Sequence, residues 1–303
     1  MIDLSVKIGN LTLKNPILTA SGTFGYGEEY FPYLNLNKLG GIITKTITPK
    51  PRIGNPFPRI AETSCGMLNS IGLTNVGVEE FIRTKLPFLN ALNTAIFVNI
   101  AGATIEEYSD VVKRLEQAEG IDGYEINVSC PNVKQGGVAL GSDPEITARI
   151  TENVKLLTKR CVITKLTPNV TKIGEIAIAA EQAGADAISL INTLIGMAVD
   201  ISTRKPKLAT ITGGLSGPAI KPVALAKVYE VAQLVKIPII GIGGIMNSKD
   251  VLEFLITGAT AVQIGTANFI EPNICEKIIA ELNQYCNAIS ISDINQIRSS
   301  LSI

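Results

Sequence analysis

The chain of 303 residues contains no histidine. This absence excludes every mechanism that needs an imidazole base, a cysteine and histidine pair, or a metal bound by histidine. Proton transfer must therefore depend on cysteine, lysine, carboxylates or other side chains. Tryptophan is absent too, and aromatic residues make up only 5% of the chain, so the interior must be mainly aliphatic.

The five cysteines are odd in number, and no two of them form a CxxC pair. This spacing argues against a disulfide framework, a zinc site or an iron-sulfur cluster held by this chain alone. We expect reduced thiols and no metal site. Cys161 opens an apolar strand, while Cys275 and Cys286 lie in the last helical pattern, so we predict that these three pack in the core.

The chain also lacks net charge and a long hydrophobic run. Lys plus Arg and Asp plus Glu number 27 each, so no global field attracts nucleic acid or an anionic membrane surface. Charged and turn residues interrupt the N-terminal segment MIDLSVKIGNLTLKNP, and no apolar stretch approaches the length of about eighteen residues that a membrane span needs. We expect a soluble, cytoplasmic protein that binds neither nucleic acid nor membranes.

Eight apolar runs alternate with longer amphipathic stretches after a short hairpin, VKIGNLTLK, at residues 6–14. This alternation is typical of βα units, and continuous apolarity is expected of strands buried on both faces. The count predicts an α/β fold, a closed (β/α)8 TIM barrel, as one domain over residues 1–303. The runs are PILTA (16–20), GIITKT (41–46), AIFVNI (95–100), YEINVS (124–129), VITKLT (162–167), AISLIN (187–192), PIIGIG (238–243) and AVQIGT (261–266).

Two helix starts and two long connections are visible between the runs. The segment SDPE from Ser142 to Glu145 predicts a capping box that opens a helix through about Lys159, and Asn247 to Asp250 predicts a second one. Residues 47–80 and 193–219 are too long for plain crossovers. Insertions at the C-terminal ends of barrel strands usually build the active site or a contact between subunits.

Polar residues end most of the strands, and the C-terminal ends of barrel strands converge on one pocket. Lys45 and Lys165 lie inside apolar runs, where a buried ammonium needs an anion. Asn99, Asn127 and Asn192 supply hydrogen-bond donors and acceptors together. Such a set suits a ring with alternating carbonyl and N–H groups, as flavins and pyrimidines have.

Glycines follow the last two strands, in GIGG (241–244) and GT (265–266), where this barrel usually binds phosphate. The turn from Ser216 to Ala219 offers further backbone N–H groups. A ring site, a phosphate site and a cationic lysine together indicate FMN. The residues alone leave two alternatives open, a lyase or isomerase that forms a Schiff base on Lys165 and a non-catalytic flavin-binding barrel.

The segment NVSCPN places the Cys130 thiol between two carboxamides, directly after a buried strand. The following residues, 131–144, are rich in glycine and exceed the usual length of a βα loop. We predict that they form a lid that excludes water from the site.

Seven motifs resemble the class 1 dihydroorotate dehydrogenases, in the order in which that family carries them, over essentially the whole chain. The motif at 20–27 and the long segment 193–219 are similar to the class 1B catalytic subunit rather than to the fumarate-reducing class 1A. The seven motifs are ASGTFGYG (20–27), KTITPKPRIGNPFPR (45–59), GMLNSIGL (66–73), NVSCPN (127–132), LINTLIGM (190–197), GGLSGPAIKP (213–222) and IGIGGI (240–245).

The resemblance implies oxidation of (S)-dihydroorotate to orotate in UMP biosynthesis. Cys130 would remove the C5 proton and FMN would accept hydride from C6, with Lys45 and Lys165 assisting. The residues implied to bind the pyrimidine are Lys45, Asn69, Ser70, Ile71, Gly72, Leu73, Asn127, Asn192 and Thr193. Those implied to bind FMN are Ser21, Lys45, Thr46, Asn99, Asn127, Lys165, Ile191, Gly217, Gly243, Gly244, Gly265 and Thr266.

The resemblance also implies one FMN per chain and a partner subunit that carries FAD and a [2Fe-2S] cluster. NAD+ would be reduced through that partner, in a heterotetramer of two catalytic and two partner chains. A class 1A enzyme linked to fumarate and a dihydrouracil dehydrogenase are the near alternatives. The match departs from the family at Ser64 and Cys65, where a proline-containing pair is expected, so Cys65 is a candidate spare thiol near the site.

Overall fold

The computed structural model describes residues 2–128, 134–135 and 138–302. Within these residues, eight parallel strands close into a barrel whose neighbours follow the order of the chain. The predicted (β/α)8 barrel is therefore confirmed. Numbered β1 to β8 along the chain, the barrel strands are Ile17–Thr19, Gly41–Ile43, Ala95–Ile100, Gly123–Asn127, Cys161–Lys165, Ala187–Leu190, Ile239–Ile242 and Ala261–Ile264.

Each barrel strand lies within or overlaps one of the eight predicted runs. Every residue of β4 and of β5 is buried, as the continuous apolar pattern indicated. These two strands begin one residue before the predicted runs, at Gly123 and Cys161, and their last ladder pair is Asn127 with Lys165. Each of the two strands therefore ends on a polar residue at the C-terminal end of the barrel.

The helices alternate with the strands and bury one face each. Helix Ile105–Leu115 shows the pattern, since Thr104 caps its first turn and Tyr108, Val111 and Leu115 are buried. The α-helices are Val78–Glu80, Leu86–Asn90, Ile105–Leu115, Pro144–Leu157, Ile173–Gln182, Lys221–Ala232, Ser248–Ile256, Ala267–Ile270 and Ile274–Ala288, with a π-helical turn at Phe81–Lys85.

One of the two predicted helix starts needs correction. Asp143, rather than Ser142, is the cap of helix Pro144–Leu157, and its carboxylate accepts hydrogen bonds from the backbone N–H groups of Glu145 and Ile146. The proline takes the first helical position, which places the cap directly before it, and the helix ends at Leu157 rather than near Lys159. The capping box that begins at Asn247 is confirmed, with both of its hydrogen bonds present.

The two long connections follow β2 and β6 and together build a second sheet. It is antiparallel and four-stranded, in the spatial order Leu194–Met197, Thr212–Ser216, Gly66–Asn69 and Ile60–Thr63. A smaller pair, Val199–Asp200 with Lys205–Pro206, extends the second insertion. The sequence indicated the insertions, but not that strands from both would pair.

The predicted N-terminal hairpin is present as Val6–Ile8 paired with Leu11–Leu13. It lies at the N-terminal end of the barrel, where the Cys161 thiol contacts the carbonyl of Ile8 at 3.8 Å. Residues of this end stabilise the fold, whereas the opposite end carries function in barrels of this kind. The hairpin is therefore remote from the expected site.

Three cysteines were predicted to be core residues, and the structure confirms this. Cys161, Cys275 and Cys286 are buried, and burial raises the pKa of the Cys161 and Cys275 thiols to about 12. In the part of the chain that the structure describes, no group of three or more cysteine and acidic side chains is arranged to hold a metal ion. Nor does any described helix have both the length and the apolarity to cross a membrane.

Candidate active site

A cavity of about 670 Å³ lies at the C-terminal end of the barrel. Its volume falls in the range of small-molecule sites. The residues that follow seven of the eight strands contribute to its wall, and both insertions do so as well. The predicted site residues that line it are Ser21, Lys45, Thr46, Asn69, Ser70, Ile71, Gly72, Leu73, Asn127, Lys165, Ile191, Asn192, Thr193, Gly217, Gly243, Gly244, Gly265 and Thr266.

Two further predicted residues stand apart from this set. Cys130 lies outside the described residues, as do residues 131–133 and 136–137 of the predicted lid, whereas Gly141 and Ser142 near its end line the cavity. Asn99 is described but is fully buried below the cavity. Its carboxamide accepts a hydrogen bond from the Thr46 hydroxyl at 2.6 Å and donates one to Glu125 at 2.5 Å.

Glu125 is the main residue near the site that sequence reasoning missed. Its completely buried carboxylate accepts hydrogen bonds from Asn99, from the Ser189 hydroxyl at 2.8 Å and from the Gln263 carboxamide. A signal was available, because a charged residue inside an apolar strand, two residues before Asn127, must point to the same face as Asn127. The same rule would have found Gln263 in the run AVQIGT.

Lys165 was predicted to need an anion, and the structure shows that Glu125 provides it. The ammonium lies 3.3 Å from the Glu125 carboxylate, and the lysine side chain is only 5% exposed. Its other contacts are the Gln263 carboxamide oxygen at 3.4 Å and the Ser21 hydroxyl at 3.5 Å. A positive charge is thereby fixed at the floor of the cavity.

Lys45 provides a second, differently placed cation. It lies just beyond β2 and is half-buried in the cavity wall. Burial lowers the pKa of its ammonium, Glu29 acts in the opposite direction, and the charge of Arg59 lowers the pKa further. An anionic group bound beside Lys45 would stabilise its charged form.

Carboxamides gather on the side of the cavity formed by β4 and β6. The Asn192 amide donates to the Asn127 side-chain oxygen at 3.4 Å, and its own oxygen accepts from the Thr193 backbone N–H at 2.8 Å. The Tyr108 hydroxyl donates to the Asn127 carbonyl at 2.9 Å, which fixes the strand end. Asn69 reaches the same cavity from the insertion sheet. The arrangement offers paired donors and acceptors to the edge of a planar ring.

Glycines form the cavity wall after β7 and β8. Gly217, Gly243 and Gly244 have φ values of 94°, 128° and 73°, a region that other residues rarely adopt. A Cβ atom on Gly244 would lie 2.6 Å from the Cβ of Lys221. Nearby, the Thr266 hydroxyl bonds to that of Ser216 at 2.8 Å. Bare backbone and hydroxyl groups at this corner suit a phosphate.

The first insertion supplies a backbone segment from Ser70 to Leu73. Its start is held by a hydrogen bond from the Ser70 N–H to the carbonyl of Arg59 at 2.7 Å, and Asn55 donates to the Ser70 hydroxyl at 2.8 Å. Leu73 adopts a left-handed conformation with φ 57°. The segment is thus fixed by its own insertion rather than by the barrel.

Cys65 lies in the turn between the strands Ile60–Thr63 and Gly66–Asn69, and it is exposed. Its carbonyl accepts a hydrogen bond from the N–H of Ala219 at 2.9 Å, which ties the turn to the segment that contains Gly217. The thiol thus belongs to a turn beside the cavity, but Cys65 is not one of the residues that line it.

Comparison with known proteins agrees with this architecture. A family model described as dihydroorotate dehydrogenase matches residues 3–286. Relatives named dihydroorotate dehydrogenase B (NAD(+)), catalytic subunit, include one from Geobacter metallireducens, 54% identical over 99% of both chains, and one from Thermoanaerobacter sp. (strain X514), 56% identical over 100% of both.

Solved structures show the same fold. The crystal structure of DHODH from Eimeria tenella in complex with ferulenol superposes with a TM-score of 0.83, covering 98% of this chain and 88% of that one at 23% identity. The family model spans nearly the whole barrel, and relatives above half identity cover the entire chain. The chain therefore belongs to the dihydroorotate dehydrogenase family.

Proposed function

We propose that this chain oxidises (S)-dihydroorotate to orotate in pyrimidine biosynthesis, with FMN bound in the cavity at the C-terminal end of the barrel. The observation that carries the proposal is the convergence of Lys45, Lys165 and a carboxamide cluster on one cavity whose opposite corner is made of glycines. Relatives of more than half identity that are named for this reaction support it.

The cavity residues fit FMN at both of its ends. The backbone of Gly243, Gly244 and Gly265, with the Thr266 hydroxyl, would hold the phosphate, because Gly243 and Gly244 have positive φ values and none of the three glycines places a side chain between its backbone and the cavity. Lys165 and Ser21 would contact the ring near the floor. FMN supplies, when bound, the acceptor for the hydride that leaves C6 of the substrate.

The carboxamides and Lys45 would hold the pyrimidine. Asn127, Asn192 and Asn69 present donors and acceptors that match the imide and amide edges of dihydroorotate. The Lys45 ammonium would bind the substrate carboxylate, which distinguishes dihydroorotate from dihydrouracil. The Ser70 to Leu73 backbone would border the ring, and Thr193 would contact its edge.

The Lys165 ammonium would stabilise negative charge that develops on the ring bound above it. It is preorganised, because groups of the protein itself, on Glu125, Gln263 and Ser21, hold it in place. Charges that are already in position cost no reorganisation during the reaction. The pairing of Lys165 with a buried carboxylate favours this electrostatic role over a Schiff base, which needs a neutral amine.

Cys130 would remove the proton from C5. In the sequence it follows Asn127, a cavity residue, by three positions, and the chain has no histidine that could take the role. Removal of the proton from one face and departure of the hydride from the other places the thiol across the substrate from the FMN.

The final acceptor would be NAD+, reached through a partner subunit with FAD and a [2Fe-2S] cluster. Support comes from the names of the relatives, which specify NAD(+) and a catalytic subunit. Two catalytic and two partner chains would form the complex, in the cytoplasm. Among the described residues, Cys65 is exposed and the other three cysteines are buried, an arrangement that offers no cluster site in that part of the chain.

An anaerobic titration tests the proposal. The purified protein should be yellow, with the spectrum of oxidised FMN, and dihydroorotate should bleach it with a stoichiometry of one per chain. Dihydrouracil should not bleach it, because it lacks the carboxylate. A colourless protein, or one that dihydroorotate leaves oxidised, would refute the function, and equal bleaching by dihydrouracil would refute the role of Lys45.

Fumarate and NAD+ distinguish the two class 1 acceptors. The protein reduced by dihydroorotate should be reoxidised slowly by either compound alone, and rapidly by NAD+ once an iron-sulfur flavoprotein partner is added. Rapid reoxidation by fumarate without a partner would contradict the proposed acceptor.

A further inference from the structure

Glu125 is a buried carboxylate that contacts neither the substrate nor the FMN in the proposed reaction. It lies on β4, and its side chain is completely buried at the centre of the barrel. The middle of a barrel of this fold is normally filled by branched aliphatic residues. Burial of a carboxylate is unfavourable unless charged and polar partners surround it. A carboxylate at the centre of the barrel therefore indicates a role other than packing.

Four donors surround its two oxygens. One oxygen accepts from Ser189 at 2.8 Å and from Gln263, and the other accepts from Asn99 at 2.5 Å and from Lys165 at 3.3 Å. These donors come from strands β3, β5, β6 and β8. The carboxylate therefore fixes the relative positions of side chains from half of the barrel.

Two of these contacts lead to residues that line the cavity. Lys165 is one such residue itself, and Asn99 holds the Thr46 hydroxyl at 2.6 Å. Through Glu125, the wall after β2 is connected to the cation on β5. The carboxylate itself lies beneath the wall and has no exposed surface.

The contacts of Lys165 explain how such a connection would act. All three lie between 3.3 and 3.5 Å, longer than the usual N–H···O distance of about 2.9 to 3.0 Å. The ammonium is held in a defined place, yet its hydrogen bonds are not at their optimal length. These three partners keep the charge beside the space that a ring in the cavity would occupy.

We propose that Glu125 is a positioning residue, which holds the Lys165 ammonium, and through Asn99 the Thr46 hydroxyl, against the ring of the bound FMN. The inference rests on the proposed function, because it takes the ring to be that of FMN. Glu125 touches neither substrate nor cofactor, and its effect on either passes through these two side chains.

The variant Glu125→Gln tests this role. Glutamine has nearly the same shape as glutamate, but it carries no charge. It also turns an NH2 group toward side chains that donate hydrogen bonds to Glu125, so the Lys165 ammonium is no longer held in its position. We expect the variant to bind FMN, with altered visible absorption bands and a shifted midpoint potential. Reduction of its FMN by dihydroorotate should be slower by about tenfold or more.

Thr164→Val is the matched control. Thr164 is a buried residue next to Lys165 on β5, but its hydroxyl bonds to Thr151, away from the Glu125 cluster. This variant should lose some stability and keep the wild-type spectrum, potential and reduction rate. A Glu125→Gln protein whose spectrum, potential and rate match those of the wild type, or whose changes are no larger than those of Thr164→Val, would overturn the proposal.

A double-mutant cycle tests whether Glu125 acts through Lys165. In a Lys165→Met background, Glu125→Gln should cause little further loss in the reduction rate, because the side chain through which it mainly acts is gone. Losses that multiply independently would overturn the proposal.

If Glu125→Gln does not fold, Glu125→Asp replaces it, since aspartate keeps the charge but withdraws it by one methylene. A wild-type potential in Glu125→Asp would equally refute the role.

The potential and the spectrum do not require dihydroorotate, because dithionite reduces the FMN. The inference is thus decided even if the substrate assignment is wrong. Failure of dihydroorotate to bleach the wild-type protein counts against the proposed function, whereas a wild-type potential in Glu125→Gln counts against the positioning role alone.

Discussion

Asn69 and Gly214 are register partners in the sheet that the two insertions build, and the Asn69 amide donates to the Gly214 carbonyl at 3.3 Å. The two residues are 145 positions apart in the chain. Gly214 also lies against Thr193, since a Cβ at this position would be 2.1 Å from the Thr193 hydroxyl oxygen. This contact joins the insertion sheet to the side of the cavity proposed for the pyrimidine.

We predict that Gly214→Ala weakens dihydroorotate binding. The added methyl group has to displace the Thr193 side chain, so the KM for dihydroorotate should rise by about tenfold while FMN stays bound. Steady-state kinetics and the flavin spectrum measure the two effects. Met197→Ala, at an exposed position of the same sheet, serves as control and should keep the wild-type KM. Loss of FMN from Gly214→Ala would contradict the assignment of this region to the substrate.

Cys130→Ala should retain FMN and bind orotate, yet lose turnover by about two to four orders of magnitude, the usual contribution of a general base. Orotate binding is measured by its perturbation of the flavin spectrum. Cys65→Ala, which removes the exposed thiol beside the cavity, is the control and should keep turnover. If Cys130→Ala turns over at a rate near that of the wild type, Cys130 is not the base.

Activity should also increase with pH on the alkaline side of neutrality. An unperturbed thiol has a pKa of about 8.5, so only a small fraction is thiolate at neutral pH. The pH profile of kcat for the wild type should show this rise, and Cys130→Ser should lose it. A flat profile would contradict the assignment of an unperturbed thiol as the base.

Lys165→Met should destabilise the protein by about 3 to 5 kcal/mol, because it leaves the buried Glu125 carboxylate without its cation. Addition of Glu125→Gln should restore part of this loss, since the unpaired charge disappears. Urea unfolding of the apoproteins gives both free energies of unfolding. A double variant that is less stable than Lys165→Met would show that the pair does not behave as a buried ion pair.

Lys45 should give the apoprotein a distinctive pH dependence. Burial lowers the pKa of Lys45 in the folded protein. The charged ammonium therefore destabilises the fold by its full amount at pH values below that lowered pKa. The effect is relieved as the pH rises through it toward the unfolded value of about 10.4. The free energy of unfolding of the wild type, relative to Lys45→Met, should therefore increase on the alkaline side.

An exposed lysine of opposite shift provides the control for this measurement. Glu175 raises the pKa of Lys172 in the folded protein. The stability that this pair contributes is therefore lost as the pH rises through that raised pKa. The difference between the wild type and Lys172→Met should therefore lack the alkaline increase. A difference between the wild type and Lys45→Met that does not change with pH would contradict the prediction.

Gly244→Ala should weaken FMN binding. The alanine must adopt φ 73°, and its Cβ would lie 2.6 Å from that of Lys221, so the backbone at the phosphate corner has to move. Gly184→Ala carries the same backbone penalty, with φ 90°, but lies against Lys155 away from the cavity. Both variants should lose stability, and only Gly244→Ala should raise the Kd for FMN.

The sequence predicted the barrel because its signals are local. The barrel strands are almost entirely buried, so the runs are mainly apolar, and stretches of helical length separate them. The polar ends of those runs predicted the cavity, because the C-terminal ends of parallel strands lie together at one end of the barrel. Most of the predicted site residues that are described, from Ser21 to Thr266, do line it.

The starts of helices were less certain, because neighbouring residues compete for the same role. Ser142 and Asp143 are both good caps, and the position of Pro144 selects Asp143. The preference of proline for the first helical position is therefore a signal in the sequence that could have ranked the two caps.

The network around Glu125 and the insertion sheet were decided by tertiary structure. The contacts of Glu125 reach residues up to 138 positions away, and the pairing of Leu68 with Leu215 joins two insertions that lack a shared pattern. Such contacts depend on how the barrel closes, and no periodicity along the chain encodes them. The absence of histidine, by contrast, excludes imidazole chemistry whatever the fold, whereas only the closed barrel places the Glu125 carboxylate beside Lys165.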